Sequence, residues 1–548
     1  MQLRPYQEEV KQRLYSYWLT NPTDNALITM PTGAGKTVLM SSVIHDHNVA
    51  TCAIAHRQEL VGQISQALAR EGVMHRIIAP PAVRSEIVRE HTHELGQAFH
   101  DPTAQVGVAG VDTLNRRVGE LRSWMLRVGL WVTDEAHHLL QNNKWGKAAE
   151  LFPNARGLGV TATPLRADGA GLGRSADGVF DTLIEGPDMR WLIDNNYLTD
   201  YRIFAPPSDF KIDDQDIGTK GDWSTPKMKK ASEESHIVGD VVQHYLRITP
   251  GKKAVVFSTD IDTSSHIADQ FTQAGISASV ISSRNTITER NRIMHQFKNG
   301  QLDVLVNVDL FGEGFDLPAI EVVIMARPTA SYGLYVQQFG RALRLMNGKK
   351  EAYVIDHVGN VTRHGLPDKQ RIWSLNRVEK RSRGERDPDL IPTRVCTECT
   401  SLYEAIYDAC PYCDEPYVPA GRSKPEQVDG NLFELSPEAL REMRGEVDRI
   451  DIHNDDMRKR LVAGGFTGAQ LGGALKNHRN RQEAQSKLRE IIALWAGYQR
   501  HLQRPDSESY KRFYWRYGID VMSAQALGRA DADALTEKIS ADLYNNKL

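Results

Sequence analysis

Short apolar runs rich in Val, Ile, Leu and Ala recur along the first two-thirds of this chain, each closed by a polar or Gly-containing turn. "NALIT" (25–29), "ATCAIA" (50–55) and "VGLWVT" (128–133) belong to a first series; "KKAVVFS" (252–258), "SASVIS" (277–282), "DVLVNV" (303–308) and "EVVIMA" (321–326) form a second. These runs are continuous rather than alternating, the signature of strands buried on both faces of a parallel sheet. Helical patterns such as "ITERNRIMHQF" (287–297) separate them, so the chain reads as two successive α/β units. Between the units, "SDFKIDDQDIGTKGDWSTPKMKK" (208–230) is polar and without periodicity, an interlobe linker or surface insertion. After residue 432 the period changes: "SPEALREMRGEVDRI", "QEAQSKLREIIALWAGYQRHL" and "ADALTEKISADLY" predict amphipathic helices, with Ser436-Pro437 a helix start.

Length adds that 548 residues exceed one hydrophobic core. With 41% hydrophobic and 25% charged residues, no apolar stretch of membrane length and no signal-peptide pattern, the chain is expected to be cytoplasmic. A formal net charge of -3 means that any polyanion is held by local patches.

The first run ends in "MPTGAGKT" (30–37), which fits the second half of the phosphate-cradling pattern G-x-x-x-x-G-K-[ST]; Met30 stands where a strict match has Gly. Gly33 and Gly35 shape the turn, Lys36 reaches the β- and γ-phosphates, and Thr37 ligates Mg²⁺. A surface loop with a chance G-K-T is the bland alternative. Against it, "VGLWVTDEAHH" ends a strand with two carboxylates: Asp134 to hold Mg²⁺ and Glu135 to orient or deprotonate the attacking water.

Taken together, these residues resemble a superfamily 2 helicase or translocase of the DEAH-type group, which includes transcription-repair translocases and many phage-encoded helicases. "LRPYQ" (3–7) resembles its Q motif, which implies that Gln7 reads adenine while Tyr6 or Arg4 packs on the base. "MPTGAGKT" is its motif I, which tolerates a residue other than Gly at Met30. "AHRQELVGQ" (55–63) and "VAGVDTLNRR" (108–117) resemble motifs Ia and Ib, implying nucleic-acid contacts at His56, Arg57 and Thr113. "DEAH" (134–137) is motif II, with His137 coupling the two sites, and "TAT" (161–163) is motif III, with Thr161 and Thr163 doing the same. "AVVFSTD" (254–260) is similar to motif IV; "VNVDLFGEGFDLP" (306–318) is similar to motif V, placing Gly314 near the phosphates and Asp316 near the ribose. "QQFGRALRL" (337–345) fits motif VI, with Gln337 and Gly340 in register, Arg344 as arginine finger and Arg341 as its partner on the γ-phosphate.

The resemblance covers residues 1 to about 375 and implies two tandem RecA-like parallel-sheet lobes that close on ATP and move along a nucleic-acid strand, 3′ to 5′. It assigns 1–205 to the first lobe, 206–232 to the linker, 233–378 to the second lobe and 379–394 to a basic linker. The implied function is ATP-dependent DNA translocation or unwinding in replication or repair. An ATP-state-dependent loader or clamp on a protein partner, and an RNA helicase, are the alternatives. Intact Glu135, Arg341 and Arg344 favour turnover over a switch, and motif spelling favours DNA.

Four of the five cysteines, Cys396, Cys399, Cys410 and Cys413, make two C-x₂-C pairs within 395–418, spacing that suits tetrahedral Zn²⁺ in a ribbon. Such a ribbon contacts nucleic acid or a protein, or serves only as a clip for a module too small for its own core. Upstream, Arg341 to Arg394 holds thirteen Lys or Arg against seven Asp or Glu, a phosphate track or a solvated linker. The helical domain spans 432–548. Its "YKRFYWRYG" (510–518) interleaves aromatics with cations, as single-strand binders do, but helical spacing of Tyr510, Phe513 or Tyr514, and Tyr517 favours a core stripe.

Overall fold

Two parallel sheets dominate the computed structural model, which describes residues 2–47, 49–55, 57–166, 171–206, 210–213, 217–218, 222–308, 320–369, 371, 373–376, 393–417, 452–463 and 468–544. The chain divides into two units, Met1–Ser382 with Thr400–Leu402, and Arg383–Cys399 with Tyr403–Leu548.

In the first unit, strands β1 (Ala26–Thr29), β2 (Ala50–Ala55), β3 (His75–Ile78), β4 (Val106–Gly110), β5 (Val128–Thr133), β6 (Arg156–Thr161) and β7 (Thr182–Glu185) assemble in the order β3-β4-β2-β5-β6-β1-β7. Every pairing is parallel, with Ala26 opposite both Leu158 and Thr182. Strands β1, β2 and β3 are buried throughout, as continuous apolar runs require. Close approach requires glycine at position 157, where a Cβ would lie 1.9 Å from the Trp131 ring.

A second parallel sheet follows in the same unit: β8 (Tyr201–Phe204), β9 (Ala254–Phe257), β10 (Ala278–Ile281), β11 (Val304–Asn307), β12 (Val322–Met325) and β13 (Ala352–Asp356), ordered β10-β11-β9-β12-β13-β8. The four runs predicted between 252 and 326 are four of its strands. Tyr201–Phe204 joins this second sheet by pairing with Ala352–Ile355, so the sequence boundary at 205 cuts a strand from the sheet it completes. The described part of the expected linker packs on this lobe. Thr225–Glu233 is helical, Trp223 is buried under the Arg363 guanidinium, and Asp222 accepts from Thr329 Oγ1 (3.1 Å) and the Ala330 N–H (2.9 Å). Polarity hid that packing, because few apolar residues, chiefly Trp223 and Met228, are buried in it.

The second unit holds Cys396, Cys399, Cys410 and Cys413 and the helices Asn454–Ala463, Gly468–His501, Asp506–Tyr517, Val521–Ala524 and Arg529–Tyr544. Leu488, Ile492 and Trp495 of the long helix pack with Phe513, Tyr517 and Ile539. The cysteine segment and the helices, expected as separate domains, group together, and Arg512 to Glu404 (2.7 Å) and Lys511 to Asp408 (2.7 Å) join them. The helix predicted at 436–450 and the basic run 377–386 lie outside the described residues.

Candidate active site in the interlobe cleft

Because the strands of each sheet are parallel, the loops that follow them gather at one edge, where α/β sheets bind ligands. The loop after β1 carries Pro31–Gly35 and leads into the helix that starts with Lys36 and Thr37, that after β5 carries Asp134 and Glu135, and that after β6 carries Ala162 and Thr163.

Gly33 and Gly35 adopt φ of 88° and 80°, a left-handed backbone that spares only glycine. Space forbids a side chain as well: a Cβ on Gly35 would meet Gln7 Nε2 at 2.4 Å. Gly35 caps the helix Lys36–Asp46, so the free N–H groups of that helix face the loop. Lys36 Nζ donates to the Met30 and Pro31 carbonyls at 3.2 and 3.3 Å. Burial pushes its ammonium below the ordinary value, while Glu135 and Asp134 pull it back up. A polyphosphate entering here supplies the negative charge that a buried lysine needs.

Gln7 sits against the same loop. Its Nε2 donates to the carbonyls of Ala34 (3.0 Å) and Gly35 (3.3 Å), and its Oε1 accepts the Arg4 N–H. Tyr6 is buried beneath the loop with its hydroxyl on the Ala34 carbonyl at 2.8 Å, whereas Arg4 lies over the Tyr197 ring. In this conformation the Q-motif residues hold the loop.

Asp134 and Glu135 are both buried. Asp134 Oδ1 accepts the Glu135 N–H (2.9 Å), and Glu135 has φ of 49°, a conformation that costs a non-glycine residue on the order of 1–3 kcal/mol. His137 Nδ1 lies 3.4 Å from Glu135 Oε2 and 3.1 Å from Thr161 Oγ1, and Thr161 Oγ1 also donates to the Thr163 carbonyl (3.0 Å). Motifs II and III are thus one hydrogen-bonded chain.

The second lobe closes the cleft. Ser331 caps the helix Tyr332–Gly340, and from it Gln337 Nε2 donates to Glu135 Oε2 at 3.1 Å. A Cβ on Gly340 would lie 2.6 Å from Thr32, so only glycine lets this helix approach the loop after β1 this far. Arg341, buried, and Arg344 follow directly, and both bear on the Lys36 charge. Among the described residues, Thr32 Oγ1, Thr163 Oγ1 and Gln337 Oε1 are buried without a hydrogen-bond partner. Such orphaned polar atoms beside a cationic cradle fit a phosphate group and a positioned water.

Sequence reasoning missed three supports of this site. Lys349 Nζ donates to the Ile320 (2.8 Å), Ala342 and Arg344 (3.0 Å) carbonyls, Thr199 N–H donates to the Leu343 carbonyl (2.8 Å), and Asp222 holds the turn before the helix. They fix the backbone that carries Arg341 and Arg344; Thr199 and Asp222 are distant in sequence, Lys349 is near, and all three are ordinary in type, so they left no local signal.

Thr37 lies half-buried in the first turn of its helix. Arg57 caps the helix Gln58–Arg70 and Thr113 lies in the short helix Val111–Arg116, both after strands on the β2/β4 side of the first sheet. His56, Gly314 and Asp316 lie outside the described residues. In the second unit, the four cysteine Sγ atoms all lie within 4.8 Å of one another, with Cys396–Cys413 and Cys399–Cys410 each at 3.6 Å. A tetrahedron of roughly 2.3 Å Zn–S bonds has edges of about 3.8 Å, so the quartet suits that ion.

Two family models match the chain: "Type III restriction enzyme, res subunit" over residues 1–166 and "Helicase conserved C-terminal domain" over 238–346. A "51.5 kDa protein" of a Lactococcus phage is 31% identical over 425 residues, covering 76% of this chain and 83% of that protein. The "DNA 3'-5' translocase XPB2" of Sulfurisphaera tokodaii is 23% identical over 398 residues, covering 65% of this chain and 82% of that one. The chain spans 51% and 59% of two further relatives, from Saccharomyces cerevisiae and Schizosaccharomyces pombe. A fragment structure assigned to the HsdR subunit of a type I restriction enzyme from Vibrio vulnificus shares the fold, with a TM-score of 0.50, 19% identity, and coverage of 67% of this chain and 66% of that one.

Proposed function

As the chain belongs to the superfamily 2 helicases and is an ATP-hydrolysing nucleic-acid motor, we propose that its track is DNA, that it moves 3′ to 5′, and that it serves replication or repair. The observation that carries the reading is the Gln337–Glu135 hydrogen bond: the carboxylate suited to activate water in one lobe is held by the other. Lobe separation therefore alters the catalytic group directly.

In this reading Gly33, Gly35 and Lys36 cradle the phosphates, and Thr37 with Asp134 holds Mg²⁺, whose charge offsets that of the phosphates. Glu135 orients the water and takes its proton, while Gln337 keeps the carboxylate aimed. Arg341 and Arg344 stabilise charge that builds on the γ-phosphate. Proton uptake by Glu135 weakens its hydrogen bond from Gln337, which loosens the lobes. His137, Thr161 and Thr163 relay that change toward the loops carrying Arg57 and Thr113, the expected backbone contacts. The cysteine quartet holds Zn²⁺ and clips the second unit, available to a replication or repair protein.

Steady-state ATPase of the purified chain with single-stranded DNA, duplex DNA, RNA or no polymer tests this, followed by strand displacement on substrates of either polarity. Salt-sensitive stimulation by DNA and 3′ to 5′ displacement are expected. Stronger stimulation by RNA, or the opposite polarity, overturns the corresponding part.

A further inference from the structure

The helix Tyr332–Gly340 gives way at Arg341 to a turn, so the carbonyls that follow take their donors from elsewhere. Three successive ones do so. Ala342 accepts from Lys349 Nζ, Leu343 accepts the Thr199 N–H at 2.8 Å, and Arg344 accepts from Lys349 Nζ at 3.0 Å and Thr199 Oγ1 at 3.4 Å. Lys349 returns to this stretch because Gly348, with φ of 80°, reverses the chain, and the Lys349 N–H closes that turn on the Met346 carbonyl (3.1 Å).

The carbonyl of Ile320 accepts from the same Nζ at 2.8 Å. Ile320 is buried and stands two residues beyond Pro318, where the segment similar to motif V ends. One ammonium therefore ties the end of that segment to the backbone of motif VI. An ammonium has three N–H donors and no acceptor, so three carbonyls satisfy it completely. A neutral amine has two donors, and its lone pair would face the third oxygen. The charge stands in a poor solvent: burial lowers it to about 8, while Glu321, just before β12, pulls it back up. Glu321 is itself bound to Lys252, before β9, at 2.8 Å.

We propose that Lys349 is a positioning residue for ATP hydrolysis: its charged ammonium holds the backbone of Arg344 so that the guanidinium reaches the γ-phosphate, and removing that one charge withdraws it. This rests on the motor reading above. The Nζ is fully occupied by carbonyls, so Lys349 acts through Arg344 and not on the nucleotide. A misplacement of about 1 Å is enough to lower a rate on the order of 10²-fold. The direction with pH follows from the charge. Below about 8 the ammonium is present and the clamp is whole; as pH rises through that value the proton leaves, one carbonyl loses its donor, and turnover falls.

The test is ATPase of the full chain and its variants from about pH 7 to about pH 9.5, with whichever of single-stranded DNA, duplex DNA and RNA stimulates it most. The kcat of the unaltered chain is expected to fall as pH rises through about 8, whereas Lys349→Arg, whose guanidinium stays charged, keeps a level profile when scaled to its own value at about pH 7. Lys349→Met keeps the length of the side chain and loses the donors. Its kcat is expected to drop by about 10- to 100-fold, with KM for ATP changed by less than about 3-fold. In an Arg344→Ala background the same substitution should lower single-turnover hydrolysis by less than about 2-fold, because the arginine it positions is gone. An unchanged kcat in Lys349→Met, an equal loss in both backgrounds, or parallel pH profiles for the unaltered chain and Lys349→Arg overturns the inference and leaves the motor standing. Parent-rate hydrolysis by Arg344→Ala removes that arginine from the motor reading itself and takes the inference with it.

Discussion

Two arginine-rich segments of this chain look alike on paper and differ in what faces them. "QQFGRALRL" places Arg341 and Arg344 at the end of a helix against the phosphate loop of another lobe, within reach of the Lys36 charge and near the buried Thr32 and Gln337 oxygens, which lack a partner among the described residues. "YKRFYWRYG" mixes cations with aromatics, yet Lys511, Arg512 and Arg516 each bind a carboxylate of their own unit: Asp408, Glu404 with Glu508, and Asp542. Phe513 and Tyr517 are buried against Trp495, so the core-stripe reading holds for those two residues, while Tyr510 is exposed. Cation count does not mark a site. The charge and hydrogen-bonding need of the opposing surface does.

The largest effect that could break this contrast is expected at Arg341. Arg341→Ala should lower nucleic-acid-stimulated ATPase by about 10³-fold or more, because a cation on the transferring phosphoryl group is worth that much. A loss under tenfold in steady-state turnover would remove Arg341 from the site. Next comes Glu135→Gln, expected to slow hydrolysis by roughly 10²- to 10⁴-fold while ATP binding persists, measured by single-turnover hydrolysis beside nucleotide binding. Parent-rate turnover would mean that Glu135 does not activate water.

On the other side of the comparison, Arg512→Ala should leave ATPase at parent levels and destabilise the second unit by about 1–3 kcal/mol, since Glu404 and Glu508 both lose a partly buried partner. Thermal unfolding with and without chelator reads it, chelation giving a further drop if Zn²⁺ clips the same unit. Unchanged melting would make these ion pairs ornamental. The smallest effect concerns pH. His75 is buried, with Nδ1 on the Val73 carbonyl and Nε2 on Ser65, and burial lowers its imidazole to about 4. The unfolded chain takes up this proton first as pH falls through the ordinary histidine range. The first unit should therefore lose on the order of 0.5 kcal/mol from this group between pH 7 and 6, and continue to lose stability until pH falls below the folded value. In denaturant titrations across that range, His75→Gln should flatten the slope.

The strands were legible because burial on both faces demands unbroken apolar runs, and the phosphate loop because a left-handed turn leaves room for nothing but glycine. Harder to read were elements whose meaning is nonlocal. Tyr201–Phe204 has the composition of an edge strand in either sheet, and only its register with β13 assigns it. The 208–230 segment looks like linker because few of its residues are apolar, and its hold on the lobe runs through Asp222, Trp223 and Met228. Lys349 and Thr199 resemble any surface lysine and threonine until the fold sets them on carbonyls around Arg344.

Sequence by itself determined the chemistry on offer: a cationic glycine turn, two carboxylates after a buried strand, paired arginines, and four thiols in two close pairs. These are covalent facts, and their spacing limits which local backbones can form. Tertiary structure decided which groups meet. It set Gln337 on Glu135, set Arg290 against Glu59 from 231 residues away, and neutralised the cations of 511–516. The physical reason is that hydrogen bonds and ion pairs act over a few ångströms, while the partners they join are separated along the chain by distances only the packed fold can close.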